Sequence, residues 1–223
     1  MEKILVLCAH PDDETLGLGG TLAINSKKGN QILVLFFTDG ESARGNLKKI
    51  PIRKNQARQA CSLLGIKQTK FLEYEDQKLE MIPLLELSKQ IEKTIQEWKP
   101  SIVFTHFWDD VNQDHRRIFD ATRISLRPQS KSTVKHIICY ETPSSTEISS
   151  KSSFSPNLFV KIDNVLNKKL NAFKKYKGEI HPFPHPRSIE SLKNRANYWG
   201  SSVGIKNAEA FVSYRRLTDN EIL

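Results

Sequence analysis

The 223-residue sequence predicts an α/β fold, a mostly parallel sheet with helices on both faces. Three observations lead there. Short apolar runs at 4–9 and 32–37 show no polar alternation, the composition of strands covered on both sides. Amphipathic stretches of helical length, 15–28 and 53–64, alternate with them. Polar residues crowd the positions immediately after the strands, where open parallel sheets place their ligands.

The remaining elements follow in order. Within 80–98, Leu84, Leu87, Ile91, Ile95 and Trp98 recur at steps of three and four, which predicts a helix that Lys99-Pro100 ends before a strand at 102–104. After residue 127 the pattern loosens into a C-terminal segment expected to complete the site. A strand is expected at 137–140, and a Ser/Thr/Pro-rich loop at 142–156 is of the kind that borders sites. Helices are expected at 164–176 and 188–203. No internal repeat is visible, and the length fits one domain over residues 1–223.

Hydrophobic residues make up 38% and charged residues 26%, the balance of a soluble globular chain, and no apolar run approaches the roughly 20 residues of a spanning helix. Met1-Glu2-Lys3 runs straight into the first strand, so no export signal is expected. Cys8, Cys61 and Cys139 are odd in number, widely spaced and set among apolar neighbours, which predicts buried free thiols and a reducing, cytoplasmic setting. The net charge of +9 attracts anions, a phosphate-bearing small substrate among them. Nucleic acid is not an expected partner, because the lysines, including the cluster at Lys168, Lys169, Lys174, Lys175 and Lys177, are not interleaved with stacking aromatics.

The chemistry concentrates at the strand ends. The first strand runs into His10-Pro11-Asp12-Asp13-Glu14, the second into Thr38-Asp39-Gly40-Glu41, and a later one into Thr105-His106 and the stretch from Asp109 to Arg116. Residues three apart share a face where the chain turns helical, so His10 and Asp13 can address one ion, with His115 closing the site from another strand. Two imidazoles and one carboxylate leave a fourth position open, the ligand count of a catalytic zinc site. Magnesium prefers oxygen ligands, so the histidines argue for zinc or another transition metal. Asp12, next to a ligand yet pointing elsewhere, suits a base acting on an activated water. Asp114, beside His115, is placed to orient a ring N–H.

Each residue also has an ordinary reading. A single histidine at a strand end is commonly structural, and acidic residues at helix starts are ordinary partners of the helix dipole. Gly17, Gly19 and Gly20 suggest a dinucleotide loop, but Leu22 stands where its third glycine belongs and carboxylates fill the preceding turn. His136 and His181 read as surface residues.

Ala9-His10-Pro11-Asp12-Asp13-Glu14, followed much later by Asp114-His115-Arg116, resembles the LmbE/PIG-L family of zinc N-deacetylases. The likeness extends through Thr38-Asp39-Gly40-Glu41, Phe71-Leu72 with Asp76, Phe104-Thr105-His106 and Glu141-Thr142-Pro143-Ser144-Ser145. It continues in Pro156-Asn157, Pro184-His185-Pro186-Arg187-Ser188 and Ala208-Glu209-Ala210-Phe211. The resemblance implies a Rossmann-like fold, zinc on His10, Asp13 and His115, and Asp12 as general base. It further implies hydrolysis of an N-acetylglucosamine-type acetamide, with a small acetamido-sugar conjugate as the partner molecule.

Two departures from the family pattern stand out. Many relatives carry a histidine three residues before the last metal ligand, where this chain has Asn112, able to donate a hydrogen bond to an oxyanion but no proton. His185 then becomes the candidate acid, with a loop histidine near a subunit contact as its plainer reading. Gln56 replaces a glutamate that often follows the equivalent of Arg53, an expected substrate contact. Arg44 and Arg187 are expected to clamp a phosphate or hydroxyls. The rival reading is a non-catalytic sugar-binding protein that kept its metal site. A receiver-like domain holding magnesium on Asp12 and Asp13 leaves His10 and His115 unexplained. The sequence leaves a homo-oligomer open.

Overall fold

Strands β1 (Lys3–Cys8), β2 (Gln31–Thr38), β3 (Gln68–Tyr74), β4 (Ile102–His106) and β5 (His136–Tyr140) pair in parallel, while β7 (Ala208–Arg216) runs antiparallel to both β5 and β6 (Leu158–Lys161). Together they form one seven-stranded sheet in the order β3-β2-β1-β4-β5-β7-β6. This is a computed structural model, describing residues 1–128, 132–148 and 151–218.

Successive side chains of β1 point to opposite faces, and both faces are covered. Ile4, Val6 and Cys8 pack under α1 (Asp13–Lys27), α2 (Ile50–Leu64), α5 (Leu166–Phe173) and α6 (Ile189–Ser201). Leu5, Leu7 and Ala9 pack under α3 (Leu84–Trp98) and α4 (Gln113–Ser125). Buried residues throughout β1 account for its continuous apolar sequence. Cys8, Cys61 and Cys139 are buried free thiols. No helix among the described residues is long and apolar enough to cross a membrane.

Several boundaries differ from expectation. The helix expected from residue 80 starts at Leu84, because Pro83 cannot donate a helical hydrogen bond and caps it instead. Strands β3, β6 and β7 were not anticipated: β3 and β6 are half-buried edge strands, and β7 alternates polar residues into solvent over its second half. Ser149 and Ser150 of the expected loop lie outside the described residues.

The glycines of α1 allow close packing. A Cβ at Gly20 would lie 2.7 Å from Ile162, and one at Gly17 would lie 2.7 Å from the Glu141 carbonyl. The helix also breaks at Leu18 (φ −145°, ψ 17°). Beyond the break, the backbone N–H groups of Gly20 and Thr21 donate to the Glu209 carboxylate at 2.8 and 2.6 Å, and Lys169 donates to the same group at 2.6 Å. Glu209, on β7, therefore caps the second half of the helix that begins at Asp13.

Candidate active site

The sheet order reverses between β1 and β4, and the conserved geometry of such sheets places ligands in the crevice at that point. The chain leaving β1 supplies His10, Asp12 and Asp13, and β4 ends at His106. Asp12 has φ 136°, a strained conformation for a residue with a Cβ, and the strain turns its side chain away from that of Asp13. Three interactions hold this turn: His10 N–H donates to Asp13 Oδ2 (2.7 Å), Asp12 N–H donates to Glu14 Oε2 (3.1 Å), and the Thr15 hydroxyl donates to the Asp12 carbonyl (2.8 Å). Glu14 is itself fixed by the Tyr176 hydroxyl, and burial pushes its carboxyl up to about 8.

One ligand atom each from His10, Asp13 and His115 lies within 4.8 Å of the others, and all three residues are buried. Carboxylates behind the rings select the tautomers. Asp110 Oδ2 lies 3.2 Å from His115 Nδ1, and Asp114 Oδ2 and Asp76 Oδ1 lie 3.1 and 3.2 Å from His10 Nε2. Protons on those nitrogens leave lone pairs on His115 Nε2 and His10 Nδ1, which face each other at 3.2 Å. Asp13 Oδ1, 3.5 Å from His115 Nε2, is buried without a hydrogen-bond partner. Two lone pairs and an orphaned carboxylate oxygen around one point form a donor set that fits a zinc-like cation. The local field has the same preference: burial opposes charge on His115, yet Asp110 and Asp13 push it up to about 9.

Asp114 departs from its expected neighbour. Its carboxylate serves His10 and accepts from the Gln77 and Leu79 backbone at 2.9 and 3.0 Å, because adjacent helical residues diverge by about 100°. His115 is served by Asp110, which the sequence reading did not single out and which the Ser145 and Thr146 hydroxyls and the Asn112 backbone hold. His106 was also left without a role. It is fully buried, stacks on His115 at 3.9 Å between centroids, and accepts from the Ala9 N–H at 3.0 Å. Burial and the neighbouring His115 pull it down to about 4, so it is a neutral packing partner of the triad.

On the other side of Asp12 lies a cluster of arginines. Arg53 and Arg187 both donate to Asp12 Oδ2, at 3.0 and 3.2 Å, while Oδ1 is buried and has no partner. Burial outweighs the two guanidiniums and raises the Asp12 carboxyl to about 6. Both arginines also reach Glu179, at 2.8 Å each, and Arg44 grips the same carboxylate through two nitrogens at 2.6 and 3.2 Å. Burial opposes the charge on Glu179, but Arg44 and Arg53 draw its carboxyl down to about 2.

Of the three arginines expected to contact substrate, Arg53 has a side chain only 3% exposed and is engaged by Asp12 and Glu179. Arg187 is held by Asp12, Glu179 and Ser144, and Arg44, 49% exposed, is the most accessible of the three. Glu179 had no sequence signal: it sits in a lysine-rich turn, and two of its three partners, Arg44 and Arg53, are far away in the chain.

Asn112 caps α4, its Oδ1 accepting from the Asp114 N–H at 2.9 Å. His185 is half-buried; its Nδ1 accepts from the Arg187 N–H at 3.0 Å and its ring stacks on exposed His181 at 4.1 Å. His136 is half-buried at the start of β5. A cavity of about 920 Å³ between α2, β3 and α3 opens at the opposite end of the strands and contains none of these groups.

Comparison with known proteins places the chain in a family. Residues 5–125 match the PIG-L family model, described as GlcNAc-PI de-N-acetylase. An uncharacterized deacetylase of Escherichia coli K12, YaiS, is 32% identical over 181 residues, covering 78% of this chain and 90% of that protein. A probable N-acetyl-alpha-D-glucosaminyl L-malate deacetylase 2 of Bacillus cereus is 31% identical over 150 residues, covering 62% of this chain and 68% of its own length. The structure of N,N'-diacetylchitobiose deacetylase from Pyrococcus horikoshii superposes with a TM-score of 0.76 at 25% identity, covering 94% of this chain and 82% of that one. Because the family match spans more than half of the sequence and takes in His10, Asp12, Asp13 and His115, the chain belongs to the PIG-L family of deacetylases, hydrolases of carbon–nitrogen bonds.

Proposed function

We propose that the protein removes the N-acetyl group from an N-acetylglucosamine-type conjugate, with zinc on His10, Asp13 and His115. The observation that carries this reading is Asp12 Oδ1, a buried acceptor without a partner beside the imidazole–carboxylate triad. Relatives that act on acetamido sugars support the substrate class.

When bound, zinc supplies Lewis-acid polarisation of the acetamide carbonyl and acidifies the attacking water. Asp12 Oδ1 takes the proton of that water, while Arg53 and Arg187 hold Oδ2 and keep the carboxylate aimed. The water oxygen bonds to the carbonyl carbon, the C–N bond breaks, and acetate and a free amine result. The amine nitrogen needs a proton as it leaves. Asn112 cannot supply one and His185 is turned to His181 and the Arg187 backbone, so Asp12 returns the proton it took. Asn112 lies beside Asp110 and Asp114, where its amide can donate to the oxyanion. A phosphate or carboxylate on the conjugate would meet half-exposed Arg44.

Acetate release is the test, with zinc added and with zinc chelated. The substrates are free N-acetylglucosamine and its nucleotide-, phosphoinositol- and malate-linked forms together with N,N'-diacetylchitobiose. Zinc-dependent release from one of them is expected. Zinc retention and sugar binding without acetate from any would favour the binding-protein reading. His185→Gln separates the two acids: activity above about a tenth of wild type leaves the proton with Asp12, and a fall below about a hundredth gives it to His185.

A further inference from the structure

We infer that a groove beside the reaction centre binds a neutral second sugar ring attached to the acetamido sugar. The groove measures about 410 Å³ and lies between the Pro184 and Pro186 segment, Glu147 and one face of α6. Ser191, Asn194, Arg195, Tyr198 and Trp199 line it, a spacing that forms one stripe along the helix.

Its chemistry is that of a carbohydrate site. Tyr198 is 63% exposed, a large aromatic face left in water without covering contacts from the sheet. Trp199 stands against it at 4.8 Å between centroids, and the indole N–H donates to Glu141 at 2.7 Å, which fixes that ring. Aromatic faces bind the apolar C–H face of a pyranose, and nearby amides and hydroxyls take its equatorial hydroxyls. Asn194 and Ser191 provide such groups on the same stripe.

Charge selects against an anion. Arg195 is neutralised by Glu141, through bonds of 2.7 and 2.6 Å, and lies 3.8 Å from Glu147. The groove therefore has no surplus positive charge for a phosphate or carboxylate, in contrast to the mouth at Arg44.

Both walls run on into the reaction centre. Glu147 holds the Ser144 and Ser145 backbone at 2.8 and 3.1 Å, and Ser144 Oγ accepts from Arg187 Nε at 2.7 Å. Pro186 precedes Arg187, whose Nη1 reaches Asp12. A ring leaving the acetamide end over Ser144 and Arg187 enters the groove. What lies at that inner end rests on the deacetylase reading above.

The experiment is calorimetric titration of zinc-supplemented full-length Asp12→Asn protein, which prevents turnover, with N,N'-diacetylchitobiose and with N-acetylglucosamine. The disaccharide is expected to bind at least about tenfold tighter, and Tyr198→Ala in the same background to erase most of that preference. Lys193→Ala, on the exposed side of the same helix, is expected to keep it. Equal affinities, no measurable binding of either sugar, or a preference that survives Tyr198→Ala overturns the groove assignment. Acetate release by the unmutated enzyme is scored separately: a preference at the groove without any acetate sinks the deacetylase reading and leaves the groove standing.

Discussion

Asp12 stands between two clusters that are built in opposite ways. On one side, His10, Asp13 and His115 converge on one point with carboxylates behind the rings, and Asp13 Oδ1 is left without a hydrogen-bond partner. On the other, Arg44, Arg53 and Arg187 close on Glu179 and Asp12 as an ion-pair network, three cations on two carboxylates. The first is organised to receive a partner and the second to stay still. In the proposed mechanism, the triad binds and the arginines aim.

The largest expected effect tests the receptive side. His115→Ala is expected to lose zinc from the purified protein and at least about 1,000-fold in activity, read by metal analysis and acetate release. If zinc stays at full stoichiometry, the triad is not the site.

Asp12→Asn separates the two sides. Zinc is expected to remain while kcat falls by about 100- to 10,000-fold, since the base is lost and both clusters persist. Asp110→Asn should be milder, weakening zinc affinity by about 10- to 100-fold through the orientation of His115; competition with a chelator of known affinity measures it.

The smallest effect on metal binding is expected from Glu179→Gln. The variant should keep zinc yet lose about 3 kcal/mol of stability at pH 7, because three guanidiniums lose their shared carboxylate. The sign with pH follows from a folded value of about 2, below that of a free glutamate: the stabilisation is present above about 4.5 and is lost as pH falls towards 2. Urea midpoints of the two proteins should therefore converge on acidification through that window, and divergence would refute the network.

The receptive cluster was legible in the sequence because two of its members, His10 and Asp13, come soon after β1 and are separated by less than a helical turn, whereas His115 lies within α4, nine residues beyond the end of β4. Position along the chain was a poor guide to which carboxylate serves which ring: Asp114 is adjacent to His115 but faces His10, and Asp110 does the reverse. The arginine cluster was half legible, with its cations noticed and their anion missed. Glu179 and Arg44 are 135 residues apart, and no local periodicity encodes such a pairing. In the fold, the buried strands stood out by unbroken apolar runs, whereas β3 and β7 were hidden by polar residues at the edge and on the solvent side, and β6 spans only 4 residues.

The break in α1 at Leu18 has a kinetic meaning. The carboxylate that caps the second half of that helix is contributed by Glu209, 189 residues after Gly20. A chain growing from its N-terminus presents His10, Asp13 and His115 long before it can present that cap. The half of α1 beyond the break thus gains its cap only when β7 docks.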